Sequence, residues 1–246
     1  MTVIYVVEQH DQVLNLWRAQ QASALRVLHL DFHCDLRGLL IDRSAQRAYR
    51  IWDRFQAVDE GNFLTHAIQE GRVRGIRWVH DEPGGRKYDL GTVKYESDLS
   101  VQPYRWLLTL RGTGGYPLAY EVLPYQNWLG IKEGECLDID WDFFACTAYP
   151  AETIQNRVNA FLAREFPVVP DHVYLCYSPN YSHPTRPQFQ QFVKDLAQLF
   201  RAEVVQVPLS LTGSISKPAY KSSPWYRYVR QVYRTAQLGL RKRGVY

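Results

Sequence analysis

Apolar residues fall into two rhythms along this chain. Short runs rich in β-branched and aromatic residues predict strands at Val3–Val7, 26–30, 76–79, Glu135–Asp140, 172–177 and 203–207. Between them, apolar positions recur at helical spacing and predict helices over 11–21, 62–71, 152–166 and 188–200, carried for example by Val13, Leu14 and Trp17 or by Phe189, Phe192, Val193 and Leu196. Strands alternating with helices imply a mainly parallel sheet covered on both faces, so the expected fold is a three-layer α/β/α domain over residues 1–246. The rhythm changes between residues 84 and 130, where 87–95 and Tyr104–Leu110 read as antiparallel strands beside the turn Gly112-Thr113-Gly114-Gly115. This stretch is expected to be an inserted hairpin region. At the end, aromatic residues interleaved with arginines over 217–246 predict a basic amphipathic helix or tail.

Composition narrows the class without naming a function. With 46% hydrophobic and 22% charged residues the chain can build a core, and its apolar runs are too short to span a bilayer. The first residues lack the basic start and cleavage site of a secretory signal. Cys34, Cys136, Cys146 and Cys176 show no CxxC pairing, so a reducing cytoplasm is the expected compartment. The net charge of +4 is modest, but no acidic residue follows Glu203. That makes the tail the one place to look for a nucleic-acid contact.

The chemistry concentrates at strand ends. Asp31-Phe32-His33-Cys34-Asp35 follows the apolar run Leu25-Arg26-Val27-Leu28-His29-Leu30 and sets three ligand-type side chains at alternate positions, hence on one face of an extended backbone. Cys136-Leu137-Asp138-Ile139-Asp140-Trp141-Asp142 repeats the arrangement downstream, with carboxylates at alternate positions that include the pair Asp138 and Asp140. His10 lies just past the first strand. Carboxylates gathered so densely repel one another unless cations lie between them, so His10, Asp31, His33, Asp35, Asp138 and Asp140 form a predicted six-ligand site for two ions. Hard oxygen donors with two imidazoles and no thiolate suit Mn²⁺. An EF-hand is excluded, because Phe143 stands where its loop needs glycine.

These residues resemble the arginase/deacetylase superfamily, in which Asp-x-His-x-Asp is followed much later by Asp-x-Asp and a strand-end His precedes both. The opening Tyr5-Val6-Val7-Glu8-Gln9-His10 and the segment Leu137-Asp138-Ile139-Asp140-Trp141-Asp142-Phe143-Phe144 look most like a small branch that includes peptide arginases. The resemblance implies two Mn²⁺ ions, an arginine-containing precursor peptide as partner, and hydrolysis of its guanidinium to ornithine and urea. It further implies that Asp140 steadies the substrate amino groups and that His66, beside Gly61-Asn62, shuttles a proton, while Asp142, where the chain departs from the family's segment, supports the ligands. A guanidinium also wants a carboxylate beyond the metal, for which Glu8, Asp53, Asp59 and Glu60 are available, Glu8 being nearest to His10 in sequence. The alternatives are an agmatinase-like enzyme or deacetylase on the same scaffold, and nucleic-acid binding by the tail, which would leave both acidic motifs unexplained.

Overall fold

The computed structural model describes residues 1–37, 39–42, 48–51, 58–80, 89–90, 93–94, 104–110, 117–147 and 149–208, all within the unit Met1–Gly213. The basic tail expected over 217–246 and the glycine turn at 112–115 lie outside the described residues. Among them no helix is long and apolar enough to cross a membrane.

Seven strands form an all-parallel sheet. They are β1 (Val3–Val7), β2 (Leu25–Leu30), β5 (Val73–His80), β9 (Pro117–Pro124), β10 (Glu135–Asp140), β11 (His172–Cys176) and β12 (Glu203–Gln206), in the order β12-β1-β11-β10-β2-β5-β9. Beyond β9 the sheet turns mixed. There β8 (Tyr104–Leu110) runs antiparallel to β9, β4 (Ala48–Ile51) parallel to β8, and β3 (Leu39–Asp42) antiparallel to β4. A small separate hairpin joins β6 (Asp89–Leu90) to β7 (Val93–Lys94). The region from 84 to 130 therefore holds antiparallel pairs and also supplies β9, a parallel partner of β5.

The helices are α1 (Asp11–Ala19), α2 (Phe63–Gln69), α3 (Asp142–Ala145), α4 (Ile154–Leu162) and α5 (Arg186–Phe200). They cover both faces of the sheet, and the strands show it residue by residue. Ile4 and Val6, Leu28 and Leu30, Leu137 and Ile139, and Val173 and Leu175 pack with α3, α4 and α5 through Phe144, Phe161 and Phe192. Their alternates Val7, Val27, Cys136, Tyr174 and Cys176 pack with α1 and α2 through Trp17, Phe63 and Leu64. Strands buried on both faces read as near-continuous apolar runs, which is why these were visible in the sequence. The expected three-layer α/β/α architecture is the one observed.

Helix ends obey local chemistry. Asp11 opens α1, where a negative charge meets the positive end of the helix dipole, and Pro187 lies in the first turn of α5, where its missing N–H costs nothing. Arg201 ends α5 in the left-handed region at φ 50°. Midway along β5, Arg77 is buried between Glu135 (2.7 Å) and Glu121 (3.0 Å), so its charge is matched on two sides.

Phe161 tests how much the α3–α5 layer contributes. Its ring meets Phe144, Phe166, Trp128 and Phe192 at centroid distances of 5.4–5.9 Å and is fully buried. Phe161→Ala should cost about 3–5 kcal/mol in chemical denaturation, whereas Leu199→Ala, on an exposed turn of α5, should shift the midpoint little.

Candidate metal centre

The parallel strands deliver their last residues to one place, outside the carboxyl ends where open α/β sheets hold ligands. His10 follows β1 and opens α1, Asp31 to Asp35 follow β2, Asp140 ends β10, Asp142 opens α3, and Ser178 follows β11. In the sheet β1, β11, β10 and β2 are neighbours, so four consecutive strand ends build the site.

His10 lies at its centre, fully buried. Its Nε2 is 3.0 Å from Asp138 Oδ1, and its Nδ1 faces Asp35 Oδ2 at 3.0 Å, Asp31 Oδ2 at 3.2 Å and Asp140 Oδ2 at 3.2 Å. Beside this group, His33 Nδ1 lies 2.8 Å from Asp142 Oδ2 and 3.8 Å from Asp31 Oδ1. The two oxygens of Asp31 are thus divided between the two groups. Ser178 Oγ donates to Asp140 Oδ2 (2.6 Å), and Asp140 Oδ1 accepts from Asp142 N (3.1 Å). Phe32 N donates to Asp142 Oδ1 (3.2 Å) and His33 N to Asp31 Oδ1 (2.6 Å), so the motif's own backbone aims its carboxylates.

The fit to divalent cations follows from this geometry. Metal–donor bonds of about 2.0–2.3 Å at right angles put neighbouring donors about 2.8–3.3 Å apart. The contacts of His10 Nδ1 with three carboxylate oxygens have that spacing. A single imidazole proton cannot satisfy three acceptors, and His10 Nδ1, Asp31 Oδ2 and Asp142 Oδ2 are buried without a partner in hydrogen-bond geometry. The donor set suits hard or borderline divalent ions.

Electrostatics sort the carboxylates into two kinds. Burial raises Asp31 well above the usual carboxylate range, helped by the charges of Asp142, Asp35 and Asp140, and burial with Asp142 pushes Asp140 up to about 6. Burial also opposes ionisation of Asp138 and Asp142, yet His10 and His29 hold Asp138 well below its ordinary value, and His33 lowers Asp142. His10 and His33 are raised, against burial, by the carboxylates around them. This is the pattern of a cluster short of positive charge.

The sequence expectation paired Asp138 with Asp140, and both lie in groups of donors close enough to hold an ion, Asp138 with His10 and His29 and Asp140 with His10 and Asp31. Asp138 is the register partner of His29 across β10 and β2, and both of its oxygens are used by imidazole nitrogens, His10 Nε2 and His29 Nδ1 (2.8 Å). It stands behind His10. Asp142, expected only as a support, stands beside His33 and Asp31 in the cluster. His29 and Ser178 were absent from the expected set. The alternation that selects Asp31, His33 and Asp35 reaches His29 one step back, so that signal was present; Ser178 had none beyond following a strand. Of the remaining expected residues, His66 lies on α2 outside the four potential metal-holding groups among the described residues. Glu8 turns to a two-pronged pair with Arg186 at 2.6–2.7 Å, whose guanidinium stacks 4.0 Å over Tyr177.

No protein-family model matches this chain, and no curated protein matches it. Among solved structures it is similar to proclavaminate amidino hydrolase from Streptomyces clavuligerus, with 16% identity and a TM-score of 0.43 over 81% of this chain and 64% of that one. The chain therefore spans a little under two thirds of the length of that protein.

The opposite shifts of Asp138 and Asp140 yield a paired prediction for cation-free protein at pH 7.5. Asp138→Asn removes a carboxylate that folding favours and should cost about 3 kcal/mol in urea denaturation. Asp140→Asn removes one that folding disfavours, because a raised carboxyl loses stability as pH climbs past its unfolded value. That variant should be no less stable than the parent.

Proposed function

We propose that this protein is a metal-dependent hydrolase of the arginase type, which cleaves the guanidinium of an arginine residue in a peptide to leave ornithine and release urea. The observation that carries the reading is His10, with Nε2 committed to Asp138 and Nδ1 turned to three carboxylate oxygens at 3.0–3.2 Å. A carboxylate behind the ring sets the tautomer that leaves Nδ1 as a lone-pair donor.

One ion would be held by His10, Asp31, Asp35 and Asp140, the other by Asp31, His33 and Asp142 with Asp140 alongside. Asp138 and His29 orient His10, and Ser178 fixes Asp140. Mn²⁺ suits this oxygen-rich set. When bound, two such ions lower the pKa of a shared water and polarise the group under attack. His33, with its side chain 38% exposed, marks the side from which solvent and substrate arrive. The sequence resemblance supports arginine as the reacting side chain and a peptide as the molecule that carries it.

Purified protein supplied with Mn²⁺ should release urea from an arginine-containing peptide, lose that activity to a chelator and regain it when Mn²⁺ is returned. Colorimetric urea and peptide mass spectrometry read the outcome, and fully loaded protein that gives neither signal defeats the proposal. Asp142→Ala should lose at least one ion per chain by elemental analysis; unchanged ion content and turnover would overturn the ligand set. Protons and cations compete for Asp140, whose carboxyl titrates near 6, and for Asp31 and His10, which are raised. Cation affinity should therefore weaken as pH falls from 7.5 to 5.5 in calorimetric titrations, with proton release on binding.

A further inference from the structure

A hollow opens on the sheet away from the donor cluster, where Glu135, Arg26, Gly75 and Ala119 are successive register partners across β10, β2, β5 and β9. Arg26 and Glu135 each stand five residues before Asp31 and Asp140, which in extended strands is about 16 Å. Arg77 and Glu121 pair in the next row on the same face. Two small residues leave the space: a Cβ added at Gly75 would meet Arg26 Cγ at 3.3 Å, and Ala119 offers only a methyl group. The cavity measures about 310 Å³ and takes Lys132 into its wall. Ligand pockets span about 300–1,000 Å³, so this one suits a single small molecule and not a peptide.

The charges that line it are matched unevenly. Arg77 Nη1 donates to Glu135 Oε2 (2.7 Å) and to Gly130 O (3.2 Å), while its Nε faces Glu121 Oε2 at 3.0 Å. Lys132 gives its backbone N–H to Glu135 Oε2 (2.8 Å) and its ammonium to Glu121 Oε2 (3.1 Å). Every one of these bonds to Glu135 falls on the same oxygen. Among the described residues Glu135 Oε1 has no donor, although that side chain is only 2% exposed, and the exposed Arg26 guanidinium has no acceptor. A withdrawn carboxylate oxygen without a donor is costly. The hollow thus holds one unengaged anionic oxygen in its wall and one unengaged cationic fork at its mouth. A simple anion entering it would meet Glu121 and Glu135, and a simple cation would meet Arg26, Arg77 and Lys132. A molecule that carries both signs close together avoids either conflict.

We propose that this cavity binds a free α-amino acid, whose ammonium donates to Glu135 Oε1 and whose carboxylate pairs with the two parallel N–H groups of Arg26. The site is separate from the metal centre and stands whether or not the hydrolase reading holds. It predicts that both charged ends of the amino acid are needed at once.

The test is titration calorimetry of the full chain with each of the twenty common amino acids in turn. At least one should saturate a single site per chain with a Kd below about 1 mM. Its N-acetyl derivative lacks the ammonium and its amide lacks the carboxylate, and each should bind at least tenfold more weakly. Arg26→Gln, at an exposed side chain, should weaken binding at least tenfold while the Tm stays at the parental value. Ala119→Leu, also at an exposed position, should fill the hollow and abolish binding. A panel without a binder overturns the proposal, as does a binder that tolerates both acetylation and amidation. Affinity unchanged in Arg26→Gln overturns it too, and that variant decides alone should Ala119→Leu fail to fold. A binder lost in Asp142→Ala but kept in Arg26→Gln sits at the metal centre and counts equally against the cavity.

Discussion

The structure turns on one imidazole held between opposing demands. Nε2 of His10 is committed to Asp138, so the ring can offer only Nδ1 to the three carboxylates on its other side. If Nδ1 carries no proton, a lone pair faces three anionic oxygens. If it is protonated, one N–H must serve three acceptors. Neither state is at rest in a buried site, where unmatched charge is expensive. A divalent ion resolves both problems at once, because it accepts the lone pair and neutralises the oxygens.

The sheet makes this crowding possible. Parallel strands in fixed register carry their polar last residues past the apolar layer to a common level, and the packing of two helical layers secures those positions from below. The local cost appears in the backbone. Asp35 and Ser178, both in the cluster, adopt the left-handed region at φ 50° and 45°, which non-glycine residues rarely occupy. Ser178 does so while its hydroxyl reaches Asp140 at 2.6 Å and its backbone N–H binds Glu8 O at 3.1 Å. Strain at that position is exchanged for a fixed carboxylate.

The same physics explains what the sequence disclosed. Five of the seven parallel strands around the site are doubly buried and read as apolar runs, so their ends, and with them His10, Asp31, His33, Asp35 and Asp140, were legible as one chemical group. How Asp138, Asp140 and Asp142 are shared among the imidazoles of His10, His29 and His33 was not legible. Alternation governs side chains only while the backbone stays extended, and Trp141, with φ −60° and ψ −25°, has already entered the helical region. Beyond Asp140 parity no longer tells which side a residue faces. His29 was hidden for the opposite reason: it obeys the parity of Asp31 but sits inside an apolar strand, where a histidine reads as a satisfied core residue. Its partner across the register, Asp138, is what makes it part of the site. The β9 strand escaped because its neighbour in sequence, β8, is its antiparallel partner, and nothing local announces the parallel pairing to β5.

The division of labour among the carboxylates follows from where each finds positive charge. Asp138 has two imidazoles at hydrogen-bond distance and is ionised by the fold itself, before any ion arrives. Asp31 and Asp140 find mainly other carboxylates and burial, so the fold alone leaves them reluctant to ionise. The first kind can hold a ring in place whether or not metal is present. The second kind holds its charge less readily, and a cation beside it would favour the ionised form. The fold thus balances Asp138 with imidazoles it supplies itself and leaves Asp31 and Asp140 facing charge of their own sign.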